Sequence, residues 1–164
     1  MKKGILLLSG LLMAALAVLF LSSGLYAGTK AADVMKMESK GYSKHSQPIV
    51  TFQHKKHSEE YAKANPNLYG NGCGECHHDE NGKPLKALKS GDNVQNCISC
   101  HKEPGEKPPK EKLEKKERIQ KYHAEAMHEN CVGCHRDYNK AKNLKAADKG
   151  AAPLKSKCND CHKK

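Results

Sequence analysis

Apolar residues are distributed unevenly along the chain, with one long block at its start and only short, sparse runs after it. The chain opens on Met1-Lys2-Lys3, is apolar from Ile5 to Leu21, and then reaches the small residues Ser22-Ser23-Gly24. A basic start, an apolar stretch and a small-residue end are typical of a secretory signal peptide. We therefore predict that residues 1–27 are a signal peptide and that residues 28–164 are exported to the periplasm. The alternative is an uncleaved anchor, because about 20 apolar residues can span a bilayer.

Local patterns predict a few small elements in the exported part. Val34–Met37 and Ile49–Phe52 contain alternating or β-branched apolar residues, which predicts a small antiparallel ribbon. His54–Ala64 predicts a helix that stops before Pro66. A thin apolar stripe predicts a second helix from about Lys112 to His128. The remaining sequence is polar and rich in turn residues, so we expect long loops.

The exported part has too few apolar residues to build an ordinary core. Leu, Ile, Val and Phe make up 14 of its 137 residues, and 27 basic against 18 acidic residues give it a net charge of +9. A chain of this composition buries too little apolar surface to offset its conformational entropy. It is therefore disordered unless a bound group supplies the core.

The eight cysteines indicate what that group is. They form four C-x-x-C pairs, and a histidine follows each pair at once, which is the attachment motif of c-type haem. Two thiols form thioethers with one porphyrin, and the adjacent imidazole is the proximal iron ligand. The cysteines are Cys73, Cys76, Cys97, Cys100, Cys131, Cys134, Cys158 and Cys161, and the histidines are His77, His101, His135 and His162.

Other uses of paired cysteines explain this pattern less well. Zinc sites, redox dithiols and disulfide scaffolds all use C-x-x-C, but none needs a histidine after every pair. We therefore predict four covalently bound haem c groups as the core. The predicted fold is a small haem-organised multihaem cytochrome, mainly short α-helices and loops with one small antiparallel β ribbon near the N-terminus. Residues 28–164 are predicted to form one tetrahaem domain.

Four irons leave four axial positions, and six histidines remain to fill them. His54 and His57 are three residues apart, so they share a helix face and can serve two neighbouring haems. His78 follows the proximal His77 and therefore points toward a different iron. We predict His54, His57, His78 and His128 as distal ligands, with His45 and His123 spare.

These residues resemble the class III multihaem cytochromes of the tetrahaem cytochrome c3 type. The resemblance rests on the order of the distal and proximal histidines between Val34 and His162, beginning with Val50-Thr51-Phe52-Gln53-His54-Lys55-Lys56-His57. It implies that His54 serves the first haem, His78 the second, His57 the third and His128 the fourth. It also implies an exported low-potential electron carrier of anaerobic respiration, with hydrogenase, formate dehydrogenase or a membrane redox complex as partners.

The sequence departs from the family pattern in its spacings. Members often have four residues between the cysteines of the second and fourth motifs, whereas Cys97/Cys100 and Cys158/Cys161 have two. Ser58–Gly72 lengthens the approach to the first motif, and Lys102–Arg118 is an extended charged connection. These departures affect the expected subgroup and partner surface more than the haem count.

Two other functions fit four C-x-x-C-H motifs. One is a membrane-anchored quinol dehydrogenase, which would keep Gly4–Ala27 as its anchor; the other is a haem reductase with one open iron. The adjacent His77 and His78, together with the His54/His57 pair, favour the carrier over the quinol dehydrogenase. The six remaining histidines are enough to close all four irons to substrate, which disfavours the reductase, so we predict an electron carrier and not an enzyme. Nucleic acid is not an expected partner of an exported chain despite its basic charge, and membrane association is expected only if the N-terminal segment stays uncleaved.

Overall fold

The computed structural model describes residues 31–156 and 158–163. The predicted signal peptide lies outside these residues. The described residues of 31–90 and 94–163 form one compact unit, and Gly91–Asn93 is an exposed, irregular stretch outside it. Within the described residues, no helix is both long and apolar enough to cross a membrane.

Most of the regular elements are short, as the sequence predicts, and one helix is long. They are the strands β1 (Met35–Lys36) and β2 (Thr51–Phe52), the α-helices α1 (Ala62–Ala64), α2 (Lys115–Lys121), α3 (His123–Ala141) and α4 (Cys158–Cys161), one π-helical segment (Lys56–Tyr61), and 3-10 turns at Pro66–Leu68, Gly72–Glu75 and Cys97–Ser99.

The predicted ribbon is confirmed, although it is only two residues long in each strand. Met35 pairs with Phe52 and Lys36 with Thr51 in an antiparallel register. The backbone amide of Met37 extends the pairing by donating to the carbonyl of Val50 over 2.9 Å. Strand β2 ends at Phe52, two residues before His54, the first histidine of the His54/His57 pair.

Residues 54–64 are helical throughout, which confirms the first predicted helix. The π-helical segment Lys56–Tyr61 lies inside it and runs on into α1. Asn65 leaves helical geometry at φ −137° and ψ 60°, because the following Pro66 disfavours a helical conformation in the residue before it. The helix presents His54 and His57 on neighbouring turns.

The second predicted helix is wrong in its bounds, because it is broken at Tyr122. Tyr122 is extended at φ −99° and ψ 122°, and its two neighbours pair with Glu103 of the charged connection. The amide of Glu103 donates to the carbonyl of Lys121, and the amide of His123 donates to the carbonyl of Glu103. Tyr122 keeps its own helical hydrogen bonds to Arg118 and Ala126, but the Lys121 carbonyl and the His123 amide bond to Glu103 instead of to helical partners. Beyond the break, α3 runs through the third cysteine motif to Ala141, well past the predicted end at His128.

The described part of the chain has almost no protein core. Among its apolar residues only Tyr122 and Ala126 are buried, at 6% and 9% exposure, and no large side chain is fully buried. The buried polar residues are Ser39, Glu125 and Asn139. The polypeptide alone therefore lacks the apolar packing that normally stabilises a domain.

Candidate functional site

Each of the four motif histidines faces one of the four histidines predicted as distal ligands. The structure brings them together in four separate pairs. His54, His57 and His128 lie outside the cysteine motifs, and His78 directly follows the first motif. The distances between ring centres are 6.4 Å for His54 and His77, 6.0 Å for His78 and His101, 6.3 Å for His57 and His135, and 6.3 Å for His128 and His162.

This spacing fits a metal ion between the two rings of each pair. A metal–nitrogen bond is about 2 Å long, so two imidazoles that bind one iron from opposite sides have ring centres about 6 Å apart. Direct stacking of the rings would bring their centres closer. The donor set of two imidazoles with two adjacent thiols is also the one that haem c requires.

Hydrogen bonds fix the protonation of several of these rings. The Nδ1 atoms of His57, His78, His101, His135 and His162 lie 2.7–3.1 Å from backbone carbonyl oxygens, which are those of Gln53, Asp79, Gln120, Pro153 and Pro48. A carbonyl oxygen only accepts, so Nδ1 carries the proton and donates it. Nε2 then keeps its lone pair for a metal, which is the arrangement typical of ligating histidines.

Electrostatics favour the neutral imidazole at two of the motif histidines. Burial lowers the pKa of His77, and the nearby His54 and His78 lower it further. Burial also lowers the pKa of His135, against the opposing effect of its bond to Pro153. Neutral imidazole is the form that binds metal.

The thiols lie beside these histidines, as the motif requires. All eight cysteines are in the described residues and none forms a disulfide. Burial and the carboxylates of Asp137 and Glu75 raise the pKa of the Cys134 thiol, which therefore stays protonated before attachment. Cys131 and Cys134 are carried by the long helix α3, whereas the first and second motifs lie in 3-10 turns.

The two spare histidines, His45 and His123, contact Tyr42 and do not pair with a motif histidine. The ring of His45 stacks on Tyr42 with centres 4.9 Å apart, and Nδ1 of His123 lies 2.9 Å from the Tyr42 hydroxyl. Burial lowers the pKa of His123, and the nearby His101 lowers it further. Each of the four motif histidines already faces another histidine, so neither spare residue replaces a predicted partner in this arrangement.

Several groups that lie behind the histidine rings could not be identified from the sequence. The carbonyls of Pro48 and Pro153 come from loops that carry no motif, and Glu106 lies in the charged connection, with Oε1 3.0 Å from Nδ1 of His128. The bond to Lys155 and the charges of Lys155 and His128 lower the pKa of Glu106. No local pattern marks such partners, because they are 18 or more residues from their histidines.

The fold and the paired histidines define a multihaem c-type cytochrome. A model of the class III cytochrome c family matches residues 30–162. The chain belongs to the class III cytochrome c family, whose members are multihaem electron carriers. Comparison with curated proteins and with solved structures gives no significant match.

Proposed function

We propose that this chain is an exported tetrahaem cytochrome that carries electrons at low potential between redox proteins, with every iron held by two histidines. The cysteines of the four motifs attach the haems, the motif histidines are proximal ligands, and His54, His78, His57 and His128 are the distal ligands of the first to fourth haem. The facing of these four histidine pairs, at 6.0–6.4 Å, is the observation that carries the proposal.

Bis-histidine ligation accounts for the proposed role. An iron with two protein ligands has no open position for a substrate, which favours electron transfer over catalysis. Two histidines also give a lower potential than a histidine and a methionine. The haem groups supply the reversible one-electron chemistry, while the chain holds and spaces them.

The positions of the ligands indicate that the haems lie close together. His77 and His78 are adjacent and belong to the first and second pairs, and His54 and His57 lie one turn apart and belong to the first and third. His128 and His135 lie on the same helix α3 and belong to the fourth and third pairs. Neighbouring sites thus share short, continuous stretches of backbone, which supports electron exchange within the molecule.

The charge of the chain supports acidic redox proteins as partners. The exported residues carry +9. Counting two propionates on each ferric haem leaves a net charge of about +5. Hydrogenase or formate dehydrogenase as donor and a membrane redox complex as acceptor, in anaerobic respiration, form the proposed partner set. A periplasmic location with residues 1–27 removed is part of the same proposal.

An absorption spectrum of the purified protein, reduced with dithionite and recorded before and after carbon monoxide, tests the ligation. Intact mass spectrometry on the same sample counts the haems and shows whether residues 1–27 are removed. We expect four haems, a low-spin spectrum and no change with carbon monoxide.

The alternatives give different results in the same experiment. Carbon monoxide binding by about one haem in four would indicate an open iron and would favour the haem reductase function. Retention of residues 1–27 together with recovery in the membrane fraction would favour the quinol dehydrogenase.

A further inference from the structure

One of the eight paired histidines has a charged neighbour at Nδ1 where others have a backbone carbonyl. Oε1 of Glu106 lies 3.0 Å from Nδ1 of His128. The partner ring, His162, donates instead to the carbonyl of Pro48 over 2.7 Å. The fourth pair is thus asymmetric, with a carboxylate behind one ring and a neutral oxygen behind the other.

The contact is electrostatic more than directional. Nδ1 of His128 is itself buried, and the carboxylate oxygen lies off the direction of its N–H bond, so no well-formed hydrogen bond satisfies it. The side chains of His128 and Glu106 are 32% and 47% exposed. Water therefore weakens the interaction only in part, because it can reach Glu106 but not the ring nitrogen.

A lysine binds the same carboxylate oxygen. Nζ of Lys155 lies 2.7 Å from Oε1 of Glu106 and comes from the segment just before the fourth cysteine motif. Glu106 belongs to the charged connection, so this ion pair fastens that connection to the fourth site. A negative and a positive group thus sit together behind one ligand ring.

We propose that Glu106 and Lys155 set the reduction potential of the fourth haem in opposite directions, an inference that rests on the proposed ligation by His128 and His162. A carboxylate behind a ligating imidazole raises the basicity of the ring, and its charge stabilises the ferric iron relative to the ferrous iron. Glu106 therefore lowers the potential. The ammonium group of Lys155 favours the added electron and raises it.

The chain offers a matched control for both charges. Glu111 lies in the same connection and pairs with Lys121, with Oε1 and Nζ 2.6 Å apart, but this ion pair contacts none of the eight paired histidines. Glu106→Gln and Glu111→Gln each remove one negative charge. Lys155→Gln and Lys121→Gln each remove one positive charge. The difference within each couple isolates the effect of position from that of net charge.

A redox titration of the four-haem protein measures the result, with dithionite and ferricyanide as electron donor and acceptor and with NMR to assign the potentials to individual haems. We expect Glu106→Gln to shift the one-electron equilibrium of the fourth haem about tenfold toward the ferrous state, which is 59 mV. Lys155→Gln should shift it toward the ferric state. The two control variants should leave the fourth haem's potential within a twofold change.

The proposal is overturned if Glu106→Gln moves the fourth potential no more than Glu111→Gln does. It is also overturned if Glu106→Gln makes the fourth haem bind carbon monoxide, because Glu106 would then hold His128 in place and not tune the iron. Failure of the proposed function would instead be seen in the unmodified protein, as a haem count other than four or as carbon monoxide binding.

Discussion

Asn139 and Ala152 exchange two hydrogen bonds across the turn that separates the third motif from the fourth. The side-chain amide of Asn139 donates to the carbonyl of Ala152 over 2.9 Å, and its oxygen accepts from the amide of Ala152 over 2.7 Å. Asn139 is 4% exposed, so it is one of the few buried residues of the described chain. The next carbonyl, that of Pro153, accepts from Nδ1 of His135. A buried asparagine on α3 therefore holds the loop that contacts His135, the proposed proximal ligand of the third haem.

Replacement of this asparagine should destabilise the protein. Asn139→Ala leaves the amide and carbonyl of the half-buried Ala152 without partners, which should lower the free energy of unfolding by about 2 kcal/mol. Guanidinium unfolding followed by the low-spin haem spectrum measures the change. The exposed Asn67→Ala is the control and should stay within about 0.5 kcal/mol of the unmodified protein. Equal stabilities for the two variants would contradict the role assigned to Asn139.

Gly74, inside the first cysteine motif, is packed against backbone. A Cβ added there would lie 3.0 Å from the amide nitrogen of Leu85 and 3.1 Å from its carbonyl carbon. That backbone is fixed, since the amide of Leu85 donates to the carbonyl of His77 over 2.9 Å. Gly74→Ala should therefore cost about 1–3 kcal/mol of stability through overpacking.

The matched variant is Gly133→Ala in the third motif. Its added Cβ would approach nothing closer than the flexible Glu129 side chain at 3.8 Å, and Gly133 lies inside α3. Alanine is favoured over glycine in a helix by up to about 1 kcal/mol, so this variant should be neutral or stabilised. Guanidinium unfolding of the two proteins side by side is the measurement. A Gly74→Ala variant as stable as Gly133→Ala would show that the first motif can shift away from Leu85.

The sequence predicts the fold to the extent that local signals determine it. The ribbon and the helix at residues 54–64 follow from periodicity and from Pro66. The break at Tyr122 does not, because it depends on pairing with Glu103, 19 residues away, within a sequence that locally favours helix. Long-range backbone pairing leaves no periodic trace in the segment that it interrupts.

The site divides in the same way. The cysteine motifs state their chemistry in five consecutive residues, and the number of haems they predict limits how many other histidines can be ligands. The groups behind the rings, such as the carbonyl of Pro48 for His162 and the carboxylate of Glu106 for His128, come from loops distant in sequence. A backbone carbonyl is present at every residue, so no sequence pattern identifies the one that a histidine will use.

Substitution of a distal ligand should change one potential selectively. His54→Met replaces an imidazole by a thioether, which raises haem potential, and the identity of the axial ligand moves haem potentials over roughly 0.8 V. We expect the reduction potential of the first haem to rise by on the order of 100 mV while all four haems stay attached. His45→Met is the control, because His45 stacks on Tyr42 and faces no motif histidine. A redox titration in which His54→Met changes no potential would remove His54 from the ligand set.

Removal of the haems should unfold the chain. The described residues bury only Tyr122 and Ala126 among their apolar side chains, so the polypeptide lacks a core of its own. Where a bound group supplies the core, its binding free energy is folding free energy. A variant with all eight cysteines changed to alanine, studied by circular dichroism, should show neither stable helix nor a cooperative thermal transition. Native-like helix in that variant would mean that the polypeptide folds before it receives haem.

Opening a single axial position should create a single site for an external ligand. The ring of His57 faces that of His135, so His57→Ala should leave the third iron without a distal ligand. Carbon monoxide should then bind about one haem in four of the reduced protein. His123→Ala is the matched control, since His123 is bound to Tyr42 and should be dispensable for ligation. Absence of carbon monoxide binding in His57→Ala would mean that the third pair is assigned incorrectly. Carbon monoxide binding by His123→Ala would mean that this spare histidine is a ligand of one of the irons.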